Sequence, residues 1–165
     1  MNNIRLALYE NKTTGAKKFL ERQASLYEDE TLAHALVPNE CVALIVEIVS
    51  VKELFSKPGI EIFLVKTYSD MDRLTEEQKK EILDAAYSHF HEYEFVEFCW
   101  VLCDLIARCY SRAEAMHFFR KVFDTASAQG KKGVALGLDI IYRTSQRDPN
   151  LKNEISKILK VEASD

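Results

Sequence analysis

The broadest apolar stripe in the chain predicts a central helix. Over residues 94–109 the sequence EFVEFCWVLCDLIARC, wound at about 100° per residue, gathers Phe95, Phe98, Cys99, Leu102, Leu105, Ile106 and Cys109 on one face. Val96 and Cys103 widen that face past half the circumference. A narrow polar stripe remains: Glu94, Glu97, Asp104 and Arg108, with Val101 in its midst and Trp100 at its edge. A helix apolar over most of its girth is surrounded by other helices. The rest of the chain therefore reads as helices packed around this one.

Helix-start signals recur at a steady interval. Thr75 with Gln78, and Ser111 with Glu114, form capping boxes, and Asp148 before Pro149 marks a third start. The intervals are 36 and 37 residues, and steps of 36 back from Thr75 reach Asn39 and Asn3. A period in the thirties is that of stacked helix pairs. The first unit reads as a short helix from Ile4, a longer one over 16–27 and a further turn or two over 31–37. The second reads as 40–55 and, after Lys57-Pro58-Gly59, a helix to about Tyr68. Its stretches CVALIVEIVSV and IEIFLVKTY are rich in β-branched residues, so a hairpin is the competing expectation there.

The third unit pairs a helix over 76–91 with the central helix. Its buried face is Ile82, Leu83, Ala86 and Phe90 with Tyr87 beside it, and Glu77, Glu81, Asp84 and Ser88 line the opposite side. The fourth begins at Arg112, burying Ala115, Met116, Phe119, Val122, Phe123 and Ala126, turns at Gln129-Gly130 and resumes over 131–145. Leu83, Ala86 and Tyr87 match Phe119, Val122 and Phe123 in phase, 36 residues on. A last helix over 149–160 closes the stack with Leu151, Ile155, Ile158 and Leu159, and the tail VEASD frays. Gly133 and Gly137, one turn apart inside a helix, each cost about 1 kcal/mol relative to alanine and mark the close approach of a neighbour. The expected fold is all-α: about eight helices in stacked antiparallel pairs, one domain over 1–165.

Composition adds limits. With 47% apolar and 29% charged residues, 165 residues build one soluble core. The formal net charge of −4 disfavours nucleic acid as a direct ligand, since phosphate contacts need clustered Lys and Arg. Charge is uneven: residues 1–110 carry 12 basic and 19 acidic side chains, and 111–165 carry 10 and 7. The opening MNNIRLALYENK has no basic region followed by a long apolar one, so no secretory signal is expected. The longest strongly apolar run, 41–49, is too short to span a bilayer. Cys41, Cys99, Cys103 and Cys109 lie in apolar surroundings, which favours buried thiols in a reducing cytosol over disulfides or zinc.

Candidate chemistry is sparse. Glu114-Ala-Met-His117 matches one Glu-x-x-His element of a di-iron bundle, but such a site needs two plus two further glutamates. No metal or other cofactor is expected. His89, His91 and Glu92 cluster at a helix end, where histidine offsets the macrodipole, and no nucleophile accompanies them. The acidic surface carries more. Glu77, Glu81 and Asp84 form one stripe, and Glu92, Glu94, Glu97 and Asp104 follow on the turn and the central helix after it. Trp100 lies one turn from both Glu97 and Asp104, with Tyr93 nearby, and a tryptophan beside carboxylates has the composition of a binding hot spot with an acidic rim.

The 36-residue period resembles that of HEAT-like and related α-solenoid proteins. The Trp-Leu-Gly-Tyr and Ala-Phe-Pro positions of the tetratricopeptide pattern are absent in register. The acidic middle speaks against the HEAT-like DNA alkylation-repair glycosylases, which need a basic concave face. A small, acidic, all-helical chain without a catalytic motif also resembles the immunity proteins that protect bacteria from toxins delivered by neighbours, as in contact-dependent growth inhibition. That resemblance implies a tight complex with a basic toxin domain, commonly a nuclease, whose cleft the carboxylates would occupy in place of phosphates. On it, the partner-binding residues are Glu77, Glu81, Asp84, Tyr93, Glu94, Glu97, Trp100 and Asp104. The alternatives are a helical-repeat adaptor or regulatory subunit and, in another class, an enzyme using His89, His91 and Glu92.

Overall fold

Thr75 and Ser111 open their helices by the same device. Thr75 Oγ1 accepts from the Gln78 N–H at 3.3 Å, and Gln78 Oε1 accepts from the Thr75 N–H at 2.9 Å. Ser111 and Glu114 repeat the exchange at 3.3 and 3.0 Å. Each box satisfies backbone donors that a first helical turn leaves without partners. Asp148 accepts from the Asn150 N–H at 2.9 Å, with Pro149 at the first helical position. All three starts lie where the sequence places them.

The computed structural model describes residues 38–146 and 148–160, and every regular element among them is helical. These are α1 (Pro38–Ser50), α2 (Lys52–Phe55), α3 (Glu61–Lys66), α4 (Tyr68–Met71), α5 (Glu76–His89), a 3-10 turn (Phe90–Glu92), α6 (Val96–Cys109), α7 (Arg112–Val122), α8 (Ala128–Thr144) and α9 (Pro149–Leu159). The protein is all-α. The expected first unit, from Asn3 to residue 37, and the tail VEASD lie outside the described residues. None of the described helices is long and apolar enough to cross a membrane.

The second unit is helical, not a hairpin, but in four pieces rather than two. Val51 adopts an extended conformation (φ −99°, ψ 112°) and parts α1 from α2. In one unbroken helix Leu54 would point about 150° away from the face of Cys41, Ile45 and Ile48. The break turns Leu54 inward, and it is fully buried beside Phe55. Burial thus overrides continuity. A second correction concerns α8, which starts at Ala128 and not after a turn at Gln129-Gly130. Ser127 caps it, its hydroxyl accepting from the Gly130 N–H at 3.0 Å. Gly130 lies inside the first turn, where a Cβ would stand 3.1 Å from the Phe90 ring. The central helix also begins two residues late, at Val96, leaving Glu94 ahead of it.

Long-range packing joins helices about one period apart. α1 lies along α5, and α3 and α8 flank α6, with α6–α8 the most extensive contact. The glycine pair explains its closeness. A Cβ on Gly133 would meet the Cys99 carbonyl oxygen at 2.7 Å, and one on Gly137 would run into the Phe119 ring and approach the Cys103 carbonyl oxygen to 3.2 Å. From α6 itself Phe98, Cys99, Leu102, Cys103, Leu105 and Ile106 are wholly buried, as a central helix requires.

Candidate functional site

The exposed side of α6 is the stripe of Glu97, Trp100, Asp104 and Arg108, spaced three or four residues apart so that all four share one face. Trp100 is 44% exposed, although successive turns of its helix each bury residues in the core. Glu97 in the same stripe and Glu94 just before the helix are exposed as well. Asp104 is not available in the same way. Its Oδ2 accepts from the Tyr68 hydroxyl at 2.7 Å and its Oδ1 from Arg108 Nε at 2.7 Å. The same Tyr68 hydroxyl stands 3.0 Å from the Val101 carbonyl oxygen. Burial, reinforced by the hydrogen bond to Asp104, pushes the Tyr68 phenol above its usual range. Asp104 therefore fastens α4 to α6, and the hydrogen bond and charge it offers raise the Arg108 guanidinium in turn.

Tyr93 leaves the predicted surface altogether. It is wholly buried, with its hydroxyl donating to the Val49 carbonyl oxygen. Its ring meets Phe55 edge-on at 4.8 Å, Phe98 at 5.0 Å and Phe90 at 5.5 Å. Its own carbonyl oxygen accepts from the Ser127 hydroxyl at 2.5 Å and from Cys99 Sγ at 3.6 Å. A residue with every polar atom engaged inside the core has nothing to offer a partner. Sequence proximity to Trp100 did not reveal this, because the short segment before α6 turns Tyr93 inward while α6 turns Trp100 outward.

The α5 carboxylates belong elsewhere. Glu77, Glu81 and Asp84 are exposed, as expected. Hydrogen bonds from its own backbone N–H and from the Thr75 side chain hold the Glu77 carboxyl below the usual range. Glu77 and Asp84 line a groove of about 580 Å³ between α5 and α7, together with Glu76, Lys80, Leu83 and Tyr87. α7 contributes Glu114, His117, Phe118 and Lys121. None of Glu81, Glu94, Glu97, Trp100 or Asp104 lines it. The acidic residues thus divide between an α6 stripe and an α5 stripe with its groove. Tyr87, expected beside the buried face, is 48% exposed, and Lys121 Nζ stands 5.4 Å from its ring centroid. The groove itself was not foreseen. Its one signal was the 36-residue match of α5 to α7, which sets those helices side by side.

The remaining candidates are taken up by structure. His89 Nδ1 lies 2.9 Å from Glu92 Oε1, a hydrogen bond at the end of α5. That bond, and the charges of His89 and His91, hold the Glu92 carboxyl below its usual range. His91 is exposed. Glu114 Oε2 is engaged by both the N–H and the hydroxyl of Ser111, and His117 faces solvent, so the Glu-x-x-His element does not converge. Among the described residues no three His, Cys, Asp or Glu are placed to hold a metal ion. Burial pushes the Cys41 and Cys99 thiols up to about 12 and Cys109 up to about 11, with Cys103 raised as well. These thiols stay neutral at physiological pH and are poor nucleophiles.

Compared with family models, with curated proteins and with solved structures, the chain matches none of them.

Proposed function

We propose that the chain is a protein-binding inhibitor of the immunity or antitoxin type, acting in the cytosol on a basic toxin domain and making no direct contact with nucleic acid. One observation carries the binding part of this reading: Trp100 stands 44% exposed on the helix that otherwise supplies the centre of the core, with Glu97 one turn before it. Covering an indole against a partner contributes on the order of 2 kcal/mol or more where it acts as a hot spot. Glu94 and Glu97 give that contact an acidic rim, and exposed carboxylates of the same sign on α5 add long-range attraction for a basic domain. The immunity-type assignment rests in addition on the resemblance in size, charge and helical content. Asp104 and Tyr93 have no part in the proposed contact, since each is engaged internally.

The test is capture by the tagged chain from a lysate of its source cell, at low and high salt, followed by an activity assay on the captured protein. A stoichiometric complex with a basic protein whose toxic activity is lost on binding is expected. Trp100→Ala and Glu97→Lys should each abolish it while circular dichroism stays unchanged. A complex that ignores both substitutions, or a bound protein that keeps its activity, refutes the proposal.

A further inference from the structure

The groove between α5 and α7 has two chemically different ends. Tyr110, the residue before the Ser111 cap, donates from its hydroxyl to the Lys79 carbonyl oxygen at 2.9 Å, so α7 begins beside the first turn of α5. At the other end the Lys121 ammonium meets the Tyr87 ring, joining the last turns of both helices. The two helices run parallel, and Lys79 to Tyr87 spans about 12 Å at 1.5 Å per residue. Glu76, Glu77 and Glu114 stand at the starting end and Lys121 at the finishing end, with the half-buried Leu83 as apolar surface between them and the buried Phe118 beneath it. Lys80 and Asp84, one of each sign, lie along the middle and leave that polarity unaltered.

Two parallel helices offer no strand edge. An extended segment laid between them would find no backbone hydrogen-bond partner in the groove, whereas a helix satisfies its backbone internally. Two helical turns measure about 11 Å, close to the span of the groove. Helices also favour acidic side chains in the first turn and basic ones in the last. With its acid at Lys121 and its base among the three glutamates, such a helix lies antiparallel to α5 and α7, and its macrodipole opposes theirs.

We propose that this groove docks an amphipathic helix of a partner protein, antiparallel to α5 and α7, its N-terminal acidic residue at Lys121 and its C-terminal basic residue among Glu76, Glu77 and Glu114. An apolar residue one turn from each covers Leu83. The groove contains no residue of the Trp100 stripe, so this inference goes beyond the inhibitor reading and is tested apart from it.

The probes are two side-chain-stapled helical peptides of identical composition, one ordered acid, apolar, base at successive turns and the other in reverse. Binding is followed by fluorescence anisotropy at low ionic strength. The acid-first peptide is expected to bind about tenfold more tightly. The double variant Glu77→Lys/Lys121→Glu, which leaves one net negative charge at each end, is expected to abolish that preference. Both positions are exposed and neither belongs to the Thr75–Gln78 or Ser111–Glu114 capping box, and circular dichroism confirms the fold. Trp100→Ala should leave the preference unchanged, which separates this groove from the α6 stripe. For the unmodified chain, equal affinity of the two peptides, the opposite preference, or no binding of either below about 1 mM overturns the proposal, as does a preference that survives in the double variant.

Discussion

The α6–α8 and α5–α7 contacts join helices about one period apart, yet one is the tightest interface of the described chain and the other is an open groove. At α6–α8 the facing residues are Gly133 and Gly137, and the backbone of α6 comes so near that a single methyl group would collide with the Cys99 carbonyl. At α5–α7 the facing residues are Glu114, His117 and Lys121 against Glu77, Lys80 and Asp84. Charged heads resist desolvation, so this seam stays open to solvent, with Tyr110 on Lys79 at one end and Lys121 on Tyr87 at the other. Periodicity places helices side by side; side-chain size and charge decide whether the seam becomes core or surface.

That contrast breaks most sharply at Gly133. Replacement by alanine gains helix propensity but forces a Cβ against backbone that cannot rotate away, and a net loss of about 2–3 kcal/mol is expected in urea unfolding. A change within about 0.5 kcal/mol would mean that the α6–α8 seam is looser than the backbone approach indicates. Next comes Tyr93→Phe, which leaves the buried Val49 carbonyl without its donor. Its expected cost is about 2 kcal/mol, with Trp100 binding to any partner intact. Ser111→Ala removes half of the capping box that starts α7 and is expected to cost about 1 kcal/mol, measured as a shift in unfolding midpoint. At the small end, His117→Leu adds an apolar group where the groove has space, and stability should stay within about 0.5 kcal/mol. If His117→Leu destabilises as much as Gly133→Ala, the two seams do not differ as described.

Much of the fold was legible because its signals are short-range. Thr75 with Gln78, Ser111 with Glu114, and Asp148 before Pro149 act over two or three residues, and each starts its helix as expected. The 3.6-residue stripe of α6 named its buried face, and the Gly133–Gly137 pair foretold a close neighbour. The misses have a common cause too. Tyr93 pairs with Val49, 44 positions away, and Asp104 with Tyr68, 36 positions away, so neither partner is visible in a local window. Phe118 was left out of the predicted core of α7, yet it is buried, its ring edge-on to Phe90 at 5.6 Å. Ser127 was overlooked as a cap because Gln129-Gly130 imitates a turn, whereas its hydroxyl is held by the distant Tyr93 carbonyl.

Taken alone, the chain determined that it would be helical, where α5, α7 and α9 begin, and which side of α6 would be core. Capping and amphipathic periodicity are properties of a few consecutive residues, so they are written directly in the order of side chains. Only the tertiary structure decided that the acidic residues divide between two places, that Trp100 stays outside while Tyr93 goes in, and that a polar groove opens between α5 and α7. Those outcomes depend on which faces meet across 30 to 45 residues of intervening chain. A stripe of carboxylates specifies a wet face in any arrangement, but which other face it joins is set by packing contacts that no local pattern encodes.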